Sequence, residues 1–348
     1  MPPAIGVAGQ SGVAMGWKQR LRVFWWALAL LVTVPNLAFG QSAEKIPRIG
    51  LLTWSSCEGP PSVPGLGEFG PFIRALGDLG YKPGETVTIE CRAGSRRYDG
   101  LATAAAELAR IPVDIIVGSS EPAGHAAHKA TDAIPIVTIL SGDPVASGLA
   151  RTIAKPGGNV TGVSYYATEL TAKRLELLKE MLPQVATIDV LANPDVAYLP
   201  FEEDAKRAAA QLGVTVRIHH ARELAEIKAA FSEMQAEGAQ AVFVLPDVVF
   251  AWEAERIAAL ALEQRLPTMA WGSWYAEVGC LMAYSAQYEQ MDYRLASYVD
   301  RILKGAKAGD LPIEQPTTFE LWINLKTAKA LGIDVPQGLL LRADKVIE

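Results

Sequence analysis

One stretch limits the architecture more than any other, residues 134–166, reading IPIVTILSGDPVASGLARTIAKPGGNVTGVSYY. Its opening run, Ile134–Leu140, is apolar and mostly β-branched, the pattern of a strand buried on both faces of a parallel sheet. Ser141-Gly142-Asp143-Pro144 then breaks the strand, and Lys155-Pro156-Gly157-Gly158-Asn159 makes a second turn. Val160–Ser164 reads as another short strand, after which a strand–helix alternation begins afresh. A chain that finishes one α/β half, crosses over and starts another has a cleft between the halves. The stretch is therefore expected to hold the first crossover strand, with Asp143 at the lip of the cleft.

The alternation extends to both sides. Before the stretch, strands are expected at Arg48–Trp54, Thr86–Cys91 and Val113–Val117, with helices at Pro71–Gly80, at Leu101–Arg110 and from Gly118–Pro122 onward. After it, helices Thr171–Leu182, Phe201–Leu212, Leu224–Glu237 and Trp252–Gln264 alternate with strands Thr187–Leu191, Val214–Ile218, Ala241–Leu245 and Pro267–Trp271. Strands joined by helical crossovers imply parallel sheets, so the fold class is α/β. The tail departs from the repeat: a strand Gly279–Tyr284, a helix Met291–Leu303, a connector Pro312–Pro316, a strand Phe319–Ile323, and a helix Leu325–Leu331 capped by Asn324.

The chain's 348 residues suit about two domains of ordinary size. Half the residues are hydrophobic and 20% are charged, which excludes a disordered chain. The net charge of −6 and the lack of a basic stripe argue against nucleic acid as a partner. At the N-terminus, Lys18, Arg20 and Arg22 precede the apolar run Val23–Val34, Pro35 breaks it, and Ala38 and Gly40 are small residues before Gln41. This layout predicts a secretory signal peptide over 1–40 and a periplasmic or secreted mature chain; Met15 is an alternative start that would make 1–14 an extension. The apolar run falls short of the roughly 20 residues that span a bilayer. The residue directly after the cleavage point is Gln41 and not cysteine, which speaks against a lipid anchor there.

In open parallel sheets, ligands sit beyond the carboxyl ends of the strands. The residues expected there are Trp54, Ser55 and Ser56, then Ser119 and Ser120, Asp143, Ser164 and Tyr165, Asn193, Asp247 and Trp271. They combine short polar groups with aromatic rings, as an aromatic-walled cleft would. Ser119-Ser120 stands between a strand and a helix, where N–H groups and hydroxyls can hold a carboxylate or where a serine can simply cap the helix. Asp143 can accept hydrogen bonds from a ligand ammonium or hold its own turn. Asn193 and Asp247, each beside a proline, carry the same two readings.

Gly65-Leu66-Gly67-Glu68-Phe69-Gly70 matches the dinucleotide pattern, with Glu90 about 20 residues on. Its glycines do not follow a strand directly, so no nucleotide cofactor is expected. His125 and His128 lie one turn apart and His219-His220 are adjacent, too few converging ligands for zinc. No G-x-S-x-G, Walker or H-E-x-x-H motif is present, so no catalytic residue, metal or cofactor is assigned.

Three strings carry a family resemblance: GDPVASGLA…KPGGNVTGVS over 142–164, ELTAKRLELLKEMLP over 169–183, and RILKGAKAGDLPIEQPTTFELWINLKTAKALGIDVP over 301–336. From about Ile46 to its end, the chain resembles the ABC-transporter substrate-binding protein family related to the tryptophan-binding TrpX. The resemblance implies a type I periplasmic binding protein fold, in which two Rossmann-like lobes with parallel sheets, joined by three crossover strands, close on a small ligand. Lobe 1 would comprise 44–162 plus 280–309, and lobe 2 163–279 plus 310–348, with Gly279–Tyr284 bringing the chain back to the first lobe. The implied partners are a small organic ligand, an aromatic amino acid or related carboxylate being favoured, and an ABC permease with its ATPase. The expected protein is an exported, non-enzymatic monomer. The rival readings are a ligand-sensing subunit of a membrane signalling receptor and a secreted hydrolase, the latter lacking a catalytic set.

Three cysteines are too few for a disulfide-built scaffold. Cys57 lies just past the first strand and Cys91 at the end of the second. In a doubly wound sheet those strands are parallel neighbours about 4.8 Å apart, close to the roughly 4.4–6.8 Å between Cα atoms that a disulfide needs. An oxidising compartment lets such a bond persist, so a Cys57–Cys91 bridge with Cys280 free is expected. The alternative is three unpaired thiols, with Cys91 buried as a small apolar residue.

Overall fold

β-Branched runs become strands and alanine- and leucine-rich segments become the helices that cover them. The computed structural model describes residues 45–57, 69–165, 167–196, 200–287 and 289–348. The expected signal peptide and most of the GxGxxG segment lie outside the described residues. No described helix is long and apolar enough to cross a membrane.

The first sheet contains β1 (Arg48–Thr53), β2 (Thr88–Ala93), β3 (Ile115–Gly118), β4 (Ile136–Leu140) and β5 (Val160–Ser164), all parallel, in the order β2-β1-β3-β4-β5. Helices α1 (Gly70–Asp78), α2 (Tyr98–Arg110) and α3 (Glu121–Ala130) connect its strands. Every residue of β3, β4 and β5 is buried, which is why their sequence is continuous in apolar and small residues rather than alternating. Within β5, a Cβ at Gly162 would lie 1.8 Å from the Thr138 carbonyl oxygen, so only glycine lets this strand approach β4.

The second half repeats the plan. Helix α4 (Ala167–Met181) leads into β6 (Thr187–Ala192), α5 (Phe201–Leu212), β7 (Thr215–His220), α6 (Leu224–Ala236) and β8 (Val242–Val244). Then follow α7 (Val248–Trp252), α8 (Ala254–Glu263), β9 (Thr268–Ala270), α9 (Trp274–Glu277) and β10 (Met282–Ala286). After α10 (Glu289–Leu303) come β11 (Phe319–Asn324), α11 (Leu325–Leu331), α12 (Gln337–Leu340) and β12 (Lys345–Ile347). The second sheet runs β12-β11-β10-β9-β8-β6-β7. Read from β7, its first five strands have the same order as the first sheet and are all parallel. Strand β11 then pairs antiparallel to β10, and β12 parallel to β11.

The helix expected over Trp252–Gln264 is α8 (Ala254–Glu263); the short α7 before it was not expected, and it starts where the Asp247 side chain accepts hydrogen bonds from the N–H groups of Val249 and Phe250. One expectation is corrected. The segment Gly279–Tyr284, expected to return the chain to the first lobe, instead leads into β10, which pairs with β9 and β11 in the second sheet. Four of the five β10 residues are buried, and such a strand satisfies both its edges only between two neighbours. The return comes later, where α10 packs on α1, β4 and β5. Thus residues 280–286, placed with lobe 1 from the sequence, sit with the second sheet.

The chain crosses between the sheets at Tyr165, between β10 and α10, and at Glu314. There the Glu314 carbonyl accepts from Ser164 N–H (2.8 Å), and its own N–H donates to the Gly162 carbonyl (3.0 Å). The short elements α9 and α12, four residues each, and β12, three residues, had no sequence signal, being too short for a hydrophobic pattern to repeat. Several caps do match their residues: Gly213 and Gly332 take left-handed conformations, and Asn324 accepts from Thr327 N–H at 3.0 Å.

Cys57 and Cys91 form a disulfide, with Cα atoms 5.9 Å apart, at the β1–β2 edge of the first sheet. Cys280 is buried and unbonded.

Candidate ligand cleft

The carboxyl ends of the two sheets meet. Ser120, Pro122, Ser141 and Tyr165 from the first side and Val196, Pro246, Asp247, Val248 and Trp271 from the second line one cavity. Its free space is about 10 Å³, enough for roughly one water molecule. In each sheet the strand order reverses beside this cavity: between β1 and β3 on one side, and between β6 and β8 on the other.

The first wall is made of hydroxyls and backbone. Ser120 caps α3, accepting from Ala123 N–H at 3.4 Å, while its carbonyl accepts from Thr138 Oγ1 at 2.9 Å. Ser55 Oγ and Ser119 Oγ are buried without a hydrogen-bond partner among the described residues. Ser56 is half-buried. A buried donor left unmade costs about 1–3 kcal/mol; both hydroxyls stand at strand ends near Ser120, but neither residue is among those that line the cavity. Glu121, wholly buried, organises the loop beside them: its Oε2 accepts from Ser141 N–H, Ser141 Oγ and Gly142 N–H, each at 2.7 Å. Burial works to raise its pKa, but the His125 ring 3.7 Å away and these hydrogen bonds outweigh that and hold the carboxyl below its ordinary value.

The second wall carries a carboxylate. Asp247 is buried; its Oδ1 caps α7 and its Oδ2 accepts from the Tyr98 hydroxyl at 2.6 Å. Burial raises its pKa, against hydrogen bonds from Tyr98, Asn193 and the two α7 N–H groups. Asn193, also buried, turns its Oδ1 to Asp195 N–H at 3.0 Å and its Nδ2 toward the Tyr98 hydroxyl at 3.5 Å.

Aromatic rings close the remaining side. Tyr165, on the first crossover, stacks on Trp271 with ring centroids 5.7 Å apart, and Trp274 stands edge-on to Trp271 at 4.9 Å. Trp54, buried behind the first wall, meets Tyr98 edge-on at 4.9 Å. Ser164 is buried beneath Tyr165 in sequence, its N–H tied to Glu314 in the third crossing. The guanidinium of Arg174, buried on α4, donates to the carbonyls of Tyr284 (2.8 Å) and Trp271 (3.3 Å), which fixes the main chain carrying the indole.

Asp143 corrects its expectation. It is exposed, and its carboxylate accepts from Val145 N–H (2.8 Å) and Ala146 N–H (3.3 Å), holding its own turn rather than lining the cavity. Tyr98, Glu121, Ser141 and Arg174 had not been singled out. Arg174 had a signal, since it stands four residues before Leu178 on the apolar stripe of α4. Tyr98 had none, being 149 residues from Asp247. Asp189, His219 and Glu237 converge as three metal ligands would, but the Arg217 guanidinium takes both Asp189 oxygens (2.9 and 2.8 Å), which makes the group an ion-pair network.

Two α/β lobes of the same strand order, crossed three times by the chain and facing each other across a polar and aromatic cleft, define a two-lobed solute-binding protein. The family model for the ABC transporter substrate binding protein matches residues 66–347, and the chain belongs to that family. It is 28% identical over 263 residues, 75% of each chain, to a tyrosine-binding protein of Clostridioides difficile (strain R20291). Among solved structures, it resembles an ABC domain in complex with L-Trp from Streptococcus pneumonia, with TM-score 0.77 and 26% identity over 86% of this chain and 99% of that one. A ligand-free, open substrate binding protein with adhesive properties from Clostridium difficile gives TM-score 0.61 at the same 26% identity, covering 87% and 99%.

Proposed function

We propose that this protein is exported, binds an aromatic α-amino acid between its lobes, and presents it to an ABC permease without altering it chemically. The observation that carries the reading is the opposition of the two walls. Buried, unpartnered Ser55 and Ser119 hydroxyls suit a carboxylate, and the buried Asp247 carboxylate suits an ammonium. Tyr165 and Trp271 offer rings between them for an aromatic side chain. The zwitterion is the common part of the L-Trp and tyrosine bound by the relatives, and the cleft supplies one complement for each charge. The better match to the L-Trp complex than to the open, ligand-free protein agrees with lobes drawn together. Export accords with the charged and apolar leader and with the Cys57–Cys91 disulfide.

Isothermal calorimetry on the mature chain tests this. L-tryptophan or L-tyrosine should bind saturably and change intrinsic tryptophan fluorescence, and Ser119→Ala should weaken binding. Binding of sugars alone, with no response to any aromatic amino acid, would sink the reading.

A further inference from the structure

Two side chains that touch the second lobe from the first do not come from strand ends. They come from the tight connection between β2 and α2 and its junction with the helix. There Ser95 and Arg96 both hold left-handed conformations (φ 53° and 62°), a costly choice for two adjacent residues that have side chains. The turn is pinned to β1: Gly94 N–H donates to the Thr53 carbonyl and Arg96 N–H to the Trp54 carbonyl, each at 2.9 Å. Gly100, in the first turn of α2, packs so near that a Cβ there would lie 2.0 Å from the Gly94 carbonyl oxygen.

The strained, pinned turn aims two side chains at one short segment of the opposite lobe. Tyr98 braces its ring against Trp54 and donates its hydroxyl to Asp247 Oδ2 at 2.6 Å. Arg96 lays its guanidinium over the Trp252 ring, 4.7 Å from the centroid. Asp247 and Trp252 are the cap and the last residue of α7. Asp247 Oδ1 is already committed to two N–H groups of α7, and Asn193 adds a hydrogen bond from Asp247's own lobe, so Tyr98 is the donor to this carboxylate that comes from the opposite lobe.

We infer that Tyr98 is a positioning residue: it sets the orientation of the Asp247 carboxylate and makes that orientation depend on lobe closure, with Arg96 on Trp252 as the second point of the same latch. Both contacts join the protein to itself. They therefore favour the closed arrangement before any ligand arrives, and the carboxylate is aimed when an ammonium enters. The part concerning the ammonium rests on the proposed amino-acid ligand; the latch does not.

Tyr98→Phe is the direct test, because it keeps the ring against Trp54 and removes only the hydroxyl. Small-angle scattering of the ligand-free chain should give a larger radius of gyration for Tyr98→Phe and for Arg96→Ala than for the wild type. Calorimetry should show Tyr98→Phe weakening L-tryptophan binding about tenfold, the loss expected for one hydrogen bond to a charged group. Indole-3-propionate, which lacks the ammonium, should lose less. Unchanged ligand-free scattering in both variants overturns the latch, and an equal loss for the two ligands overturns the positioning role. If the wild type binds neither ligand, the proposed function fails while scattering still decides the latch.

Discussion

The two sheets share the order of five strands and differ in what stands at their carboxyl ends. The first presents neutral hydroxyls at the ends of β1 and β3, on a lobe closed at its edge by a disulfide. The second presents a buried carboxylate after β8 and an aromatic cluster after β9, and its own cysteine is buried and unbonded. One backbone plan thus yields opposite chemistry, because strand order sets where the carboxyl ends converge and the residues placed there set what the site attracts. The amino-acid ligand proposed above is the kind of guest that would use both.

The largest expected effect sets the lobes apart by pH. Asp292, on α10 where it packs against the first lobe, has its pKa raised from 3.8 to about 7 by burial, against the opposing pull of Arg74. A carboxyl with a raised folded pKa keeps its proton better when folded. Its contribution is therefore most favourable below about pH 4, declines as pH rises toward 7, and is flat above that. The shift corresponds to an upper value of about 4 kcal/mol. Asp292→Asn should accordingly stabilise the protein at pH 8 and hardly at all at pH 4, as read by urea titration at the two pH values. An equal effect at both would dismiss the buried-carboxyl account.

Next in size comes the staple. A loop of 34 residues closed by Cys57–Cys91 is worth about 3–4 kcal/mol on chain-entropy grounds. Denatured, unreduced protein should show one free thiol per chain, that of Cys280. Reduction should then speed amide exchange in β1 and β2 well before β8 and β9. Three free thiols, or uniform acceleration across both sheets, would erase this difference between the lobes.

Smaller still is the contrast between the walls in binding. Asp247→Asn should cost about 1.5–3 kcal/mol of amino-acid affinity, the range for a hydrogen bond to a charged group. Ser119→Ala should cost about 0.5–1.5 kcal/mol, the range for a neutral one. Calorimetry on both variants with L-tryptophan measures the ratio. A greater loss at Ser119 would mean that the hydroxyl wall, not the carboxylate, dominates recognition.

Local chemistry determined much of this protein by itself. The apolar runs in β3, β4 and β8 announced buried parallel strands, and Gly213, Gly332 and Asn324 announced helix ends, because strand burial and capping depend on neighbours within a few residues. The strand-end rule also named Ser120, Tyr165, Asp247 and Trp271, which line the cavity, along with Ser55, Ser119 and Asn193, which do not, since in a parallel sheet position along the chain says which end a residue occupies but not which way it faces. The two readings of an aspartate beside a proline could not be separated that way. Asp143 turned out to be an exposed turn residue and Asp247 a buried acceptor, a distinction that depends on what the opposite lobe covers. Nor could local pattern assign β10, whose buried run fits either sheet until its two neighbours are known. Tyr98, Glu121 and Arg174 became visible only when distant segments met, because a hydrogen bond to a carboxylate or carbonyl more than 100 residues away leaves no period in the sequence, and even the nearer Glu121–Ser141 pairing, 20 residues apart, leaves none.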